Sequence, residues 1–118
     1  MTSPEPREPC VFCGIAAGEA PAELVATWDE VIAFVPLNPV APGHLLVIPK
    51  RHVADVTENP EVSGAVMSAA AELATPPCNI ITSAGREATQ TVFHLHLHVV
   101  PRSAGDGLSL PWTGGDRG

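Results

Sequence analysis

The sequence predicts an α+β domain, with a mostly antiparallel five-stranded sheet, one main helix and a short N-terminal helix. Three observations carry this. Short apolar runs recur between Pro-, Gly- and Asp-containing links of hairpin length, which favours antiparallel pairing. A single stretch, residues 61–74, has convincing helical character. The run "VFHLHLHVVPR" (92–102) alternates apolar and polar residues as a half-buried strand does.

In chain order, "MTSPEPREP" is Pro- and Glu-rich and is expected to be a flexible tail over 1–9. "VFCGIAAGEA" can form a short helix, stopped near Gly18 and Pro21. "ELVATW" and "VIAFV", split by Asp29 and Glu30, read as a hairpin. "HLLVIP" is a third strand, entered from the Pro/Gly segment "NPVAPG". "HVADVTENP" is a loop or single turn. In the helix "EVSGAVMSAAAELA", Val62, Val66, Met67 and Leu73 are expected to share the buried side, weakened by Gly64. "CNIITS" gives a fourth strand, with Cys78 expected as a small buried hydrophobe. "AGREATQ" turns into the histidine strand, the fifth. Phe93, Leu95, Leu97 and Val99 are expected to face the core, and His94, His96 and His98 the other side. The domain spans 10–102, and 103–118 reads as an irregular tail in which Trp112 covers the pocket, packs on a partner or simply packs on the exposed surface.

The chain is 45% hydrophobic and 16% charged, as suits one compact domain. Six basic against 13 acidic residues give a net charge of −7, which argues against a nucleic-acid polymer as partner. No apolar run approaches the roughly 18 residues of a membrane span, so no membrane association is expected. Three cysteines do not make a disulfide framework, and a cytoplasmic location is expected.

Two features carry chemistry. Cys10 and Cys13, at C-x-x-C spacing, are half of a zinc site, and His44, His52, His94, His96 and His98 are the available histidine partners. On a regular strand same-face neighbours lie about 6.6–6.8 Å apart, so three histidines cannot share one metal. At least one must do something else. The middle one, His96, is the natural nucleophile toward phosphorus, with one nitrogen free and the other protonated and held. His98 can donate a hydrogen bond to a departing group or a phosphate oxygen.

"HLHLHVV" resembles the signature of the histidine triad (HIT) superfamily. The stretch from "CVFCG" through "APGHLLVIPKRH", together with "QTVFHLHLHVVPR", is similar to the zinc-carrying, Hint-like bacterial branch. The resemblance implies a HIT-like fold, a homodimer, a bound purine nucleotide and structural zinc. It implies a hydrolase or transferase cleaving nucleoside monophosphates from phosphoramidate or dinucleoside polyphosphate substrates through a nucleotidyl-histidine intermediate. By position, His96 resembles the nucleophile and His98 the residue at the scissile phosphate and leaving group, with His94 and His44 completing the cluster. Cys10, Cys13, His52 and His94 fall at zinc-ligand positions. Gln90 and Thr91 fall beside the phosphate; Phe12, Ile15, Phe34 and Leu37 fall near the base and ribose pocket.

This chain also departs from the pattern. Pro36 stands where relatives commonly place Asp or Asn against the ribose hydroxyls, with Asn38 as the substitute in reach. Ser83 replaces a common Asn, and "AT" precedes Gln90 in place of the usual Gly-Gly or Ala-Gly. The segment from His52 to His94 is short, which trims the helix and bears on dimer geometry. Two other functions fit the same residues: a nucleotide- or protein-binding HIT module with little turnover, and a metalloenzyme in which His94 and His96 share a catalytic metal with Cys or His52.

Overall fold

The computed structural model describes residues 10–110; the expected 1–9 tail and Trp112 lie outside the described residues. Its elements run α1 (Val11–Ala16), β1 (Leu24–Thr27), β2 (Val31–Phe34), β3 (Leu45–Pro49), α2 (Pro60–Leu73), β4 (Cys78–Ile81), a 3₁₀ turn (Arg86–Ala88) and β5 (Leu97–Pro101). The strands form one fully antiparallel sheet in the order β1-β2-β3-β5-β4. This is the predicted α+β architecture.

Both faces of the sheet are covered, which is why β2 and β3 read as continuous apolar runs. On one face Val31, Ala33, Val47, Leu97 and Val99 meet Val66, Ala69 and Ala70 of α2. On the other, Ile32, Phe34, Leu46 and Ile48 meet Phe12 of α1, with Ile15 and Ala16 packed alongside. Strands β2 and β3 therefore give alternate side chains to two separate cores.

Helix α2 begins where its capping chemistry dictates. The Asn59 side chain accepts from the Val62 N–H, and Pro60 occupies the first turn. Its inward stripe is Val66, Ala69 and Ala70, flanked by Val62 and Leu73. Met67, expected on that side, is instead 46% exposed, because one residue past Val66 rotates it about 100° off the stripe. Cys78, expected to be buried, is half-buried at the start of the edge strand β4.

The histidine strand is the main correction. Regular pairing covers only Leu97–Pro101, not the whole of 92–102. Before Leu97 the chain leaves the ladder, and the Leu95 N–H donates to the Val53 carbonyl at 2.8 Å. Leu95, Leu97 and Val99 do face the core, but Phe93 is 42% exposed. His94 no longer lines the face it would share on a straight strand; its ring is fully buried.

Gly64 is the weak position of α2: it is exposed, and a Cβ built there meets nothing within 4 Å. Gly64→Ala should therefore raise stability by about 0.5–1 kcal/mol, read from urea unfolding at unchanged m-value.

Candidate active site

The departure from the ladder at residue 96 distributes the histidines. His94 turns under α1 and the 49–54 loop, while His96 and His98 stay on the α1 side of the sheet. In register across the sheet, Phe34 pairs with Leu46, Leu46 with His98, and His98 with Ile81. Phe12 packs its ring edgewise on His94 and His96, with centroids 5.8 Å and 5.1 Å away.

His94 is held by two kinds of group. Its Nε2–H donates to the Pro49 carbonyl at 2.8 Å, so Nδ1 carries a lone pair. That atom lies 3.4 Å from Cys10 Sγ and 3.6 Å from Cys13 Sγ, and His52 Nδ1 lies 3.3 Å from Cys13 Sγ. The four ligand atoms are all within 4.8 Å of one another. Tetrahedral zinc with two sulfur and two nitrogen ligands sets neighbouring donors roughly 3.3–3.8 Å apart, so this donor set fits the ion. Burial, then the neighbouring Cys10, pushes the Cys13 thiol up to about 11 in the absence of a cation. A bound dication reverses that preference by stabilising the thiolates. His96 is not among the four, so the arrangement with His94 and His96 on a shared metal does not match the geometry.

His96 Nδ1 lies 2.8 Å from the carbonyl oxygen of His94. A carbonyl only accepts, so Nδ1 carries the proton and Nε2 is left with a free lone pair. The His96 carbonyl in turn accepts from Thr82 Oγ1 at 2.7 Å, which pins the backbone on the β4 side. Sequence reasoning missed Thr82 because its role is to a backbone atom fourteen residues away.

A second chain of hydrogen bonds reaches His98 from the loop before β3. The Val40 N–H donates to His44 Nδ1 at 3.0 Å, so His44 carries its proton on Nε2 and donates to His98 Nδ1, also at 3.0 Å. His98 then presents Nε2–H as a donor. Gly43 makes this loop possible: its φ is +85°, and a Cβ there would stand 3.1 Å from Pro101 Cγ. Burial lowers the His44 pKa. Burial, then His96 and His44, lowers that of His98 to about 4.

Two clefts meet at these imidazoles. The first, about 830 Å³, is lined by Phe12, Ile15, Phe34, Leu37, Asn38 and Thr91 together with Pro36, His96 and His98. Phe12 and Phe34 are both its floor and part of the core, whereas Leu37 is 96% exposed at its rim. The second, about 390 Å³, shares Thr91, His96 and His98 and adds His44, Gln90, Ser83 and Thr89. Gln90, expected beside the phosphate, lines this cleft but is 3% exposed and committed internally. Its Nε2 donates to the Ala54 and Val92 carbonyls, and its Oε1 accepts from the Gly85 N–H. Both its donors are used, so it braces the 85–92 segment instead of offering a hydrogen to a ligand.

The HIT domain family model matches residues 17–105, three quarters of the chain. The chain belongs to the HIT family. An HIT-like protein of Mycobacterium tuberculosis is 42% identical over 111 residues, spanning 86% of this chain and 77% of the relative. A Zn-bound histidine triad family protein from Mycobacterium smegmatis shares the fold with a TM-score of 0.73 at 43% identity, over 85% of this chain and 79% of that one. A HIT family hydrolase from Clostridium thermocellum has a TM-score of 0.75 at 37% identity, over 83% and 94%. The family match begins after Cys10 and Cys13.

The depressed His98 pKa has a stability consequence. The folded protein keeps this ring neutral down to about pH 4, whereas an unfolded chain protonates it near 6.5. Its contribution is thus fully present above pH 6.5 and is lost as pH falls toward 4. Urea midpoints should drop between pH 7 and pH 4.5, and the drop should be shallower in His98→Gln; equal slopes would remove this assignment.

Proposed function

We propose that this HIT protein is a nucleotidyl hydrolase or transferase that cleaves a nucleoside monophosphate from a phosphoramidate or dinucleoside polyphosphate through a nucleotidyl-His96 intermediate. The observation that carries the reading is the His96 Nδ1–H bond to the His94 carbonyl, which leaves Nε2 as an oriented, unprotonated nitrogen where two clefts meet. On this reading the purine lies in the apolar cleft against Phe12, Ile15, Phe34 and Leu37, with Asn38 at the ribose. Phosphorus sits between His96 and His98, with Thr91 beside it, and the leaving group extends into the second cleft.

In the first step the His96 Nε2 lone pair forms an N–P bond as the bond from phosphorus to the leaving group breaks. The His98 Nε2–H, fixed by its acceptance from His44, donates to a phosphoryl or leaving-group atom as charge develops there. In the second step water attacks phosphorus, the N–P bond breaks, and His96 is regenerated. For a phosphoramidate the amine nitrogen takes up one solvent proton as the P–N bond breaks and departs as the neutral amine. In the second step water's oxygen ends on phosphorus, one of its hydrogens returns that proton to solvent, and the other ends on the amine as ammonium once it has left the cleft.

Cys10, Cys13, His52 and His94 would hold zinc, whose contribution is to cross-link α1, the loop after β3 and the segment before β5. The four converging donors support this assignment, and the zinc-bound mycobacterial relative agrees with it. No step of the reaction uses the ion. No helix of the described residues is long and apolar enough to cross a membrane. We place the protein in the cytoplasm, where three free thiols persist, and as a homodimer, for which exposed Ile81 on the edge strand β4 offers apolar surface.

Three outcomes are expected. With adenosine 5′-phosphoramidate, His96→Ala should lose turnover by about three orders of magnitude or more, the scale of removing a nucleophile, with circular dichroism unchanged. Wild-type protein, quenched without acid, should carry an adenylyl-sized mass increment that His96→Ala lacks. Nucleotide affinity without turnover in both proteins would leave a binding module as the function. Cys13→Ser should reduce zinc from about one ion per chain to near none and lower the melting temperature, measured by elemental analysis and calorimetry.

A further inference from the structure

The second cleft contains a residue that its backbone should not tolerate. Thr89 has φ +78° and ψ +16° and is the only non-glycine residue with positive φ among the described residues. For a β-branched side chain this left-handed conformation is costly, and glycine or asparagine is the usual occupant. The turn around it is fixed from several directions. The Thr89 N–H donates to the Arg86 carbonyl at 2.9 Å and the Gln90 N–H to the Gly85 carbonyl at 3.0 Å. The Gln90 amide then ties the turn to the Ala54 carbonyl and to the Gly85 N–H. The surroundings therefore impose the conformation, and the chain keeps threonine in it.

What the conformation achieves is a position for a hydroxyl. Thr89 Oγ1 stands 3.5 Å from Ser83 Oγ, and both residues line the second cleft with His44 and His98. At 3.5 Å the two hydroxyls satisfy each other poorly. One oxygen placed about 2.7–2.8 Å from each could accept from both, which is ordinary O–H···O geometry. Ser83 and Thr89 are also the positions flagged above as departures from the family pattern, and they depart together, on the same wall.

The remaining lining decides the charge of what fits. Val40, Ile81 and Val100 supply apolar wall, and no Lys, Arg, Asp or Glu lines this cleft. Burial keeps two of its three imidazoles, His44 and His98, toward their neutral forms. A departing polyphosphate would bring several negative charges into a cleft with no cation to meet them. An uncharged amine with an oxygen acceptor near its nitrogen suits both the hydroxyl pair and the apolar wall.

We infer that Thr89, paired with Ser83, is a specificity-determining residue that reads a carbonyl or amide oxygen on a departing, uncharged amine. The inference rests on the nucleotidyl-transfer reading above and narrows it to phosphoramidates of acceptor-bearing amines.

The test compares kcat/KM for two adenosine 5′-phosphoramidates, one of propylamine and one of alanine N-methylamide, with diadenosine tetraphosphate as a third substrate. Wild type should prefer the alanine amide over propylamine by roughly tenfold, the effect of one or two neutral hydrogen bonds, and should cleave the tetraphosphate least. Thr89→Gly should bring that ratio to near unity while raising the melting temperature, because it removes the hydroxyl and the backbone strain together. Thr89→Ser, which keeps the hydroxyl, should retain the preference. A Thr89→Gly protein that melts higher yet keeps the wild-type ratio overturns the inference, and so does a wild type preferring the tetraphosphate. Wild type that turns over none of the three overturns the functional reading itself, a result distinct from either of these.

Discussion

The site depends on what residue 94 does with three of its atoms. Its ring Nε2–H is fixed by the Pro49 carbonyl at the end of β3, and its Nδ1 faces Cys10 and Cys13. Its own carbonyl accepts the proton that fixes the His96 ring. One residue thus joins the thiol pair, the central strand and the His96 ring. A shift of its backbone would move the acceptor that sets which His96 nitrogen is free. On the proposed reading the zinc site and the phosphorus chemistry share a backbone even though no step uses the ion, and hydrogen bonds of this kind hold an imidazole in one orientation.

The cost of that arrangement appears in the sheet. A regular strand through 92–101 would have gained ladder bonds, but it would have put all three imidazoles on one face at even spacing. Leaving the ladder before Leu97 gives up that regularity, and Leu95 recovers one backbone bond from Val53. In return His94 reaches the thiols of Cys10 and Cys13, and Phe12 can lie edgewise to both His94 and His96. Phe12 belongs simultaneously to the core, the cleft and the support of the histidines. A short six-residue helix can hold such a position because Cys10 caps it with its sulfur and the thiols of Cys10 and Cys13 point into the cluster.

Much of this was legible in the sequence. The five strands and α2 follow from apolar periodicity, and C-x-x-C spacing marks half of a zinc-type donor set, all local signals; that His52 and His94 complete the set is implied only by the family resemblance. What was not legible depends on contacts between distant segments. Met67 was misplaced because helical periodicity tolerates an error of one residue, and only packing against β3 and β5 selects the stripe. Phe93 was misplaced because alternation describes a straight strand, and nothing within 92–96 announces that Val53 will capture Leu95. Gln90 reads as a ligand-facing amide, yet its partners are carbonyls at 54 and 92 that no motif displays. The left-handed turn at Thr89 carries no composition signal at all, since the residue there is one that composition would exclude.

The same limit explains why three histidines separated only by leucines are not interchangeable. Each imidazole's tautomer is written by a backbone group, and two of those groups come from other segments. The Pro49 carbonyl puts the His94 proton on Nε2, the His94 carbonyl puts the His96 proton on Nδ1, and the Val40 N–H, acting through His44, leaves His98 with its proton on Nε2. An additional proton on the His44–His98 pair would set one N–H against another across 3.0 Å, losing a hydrogen bond and adding positive charge in a partly buried place. The pair is therefore stable as a neutral relay with a single direction, from the Val40 amide toward the clefts. His96 and His98 consequently present opposite characters to the same point, one a lone pair and the other a hydrogen. Attack on phosphorus needs that opposition, and an unassisted HLHLH strand would not produce it.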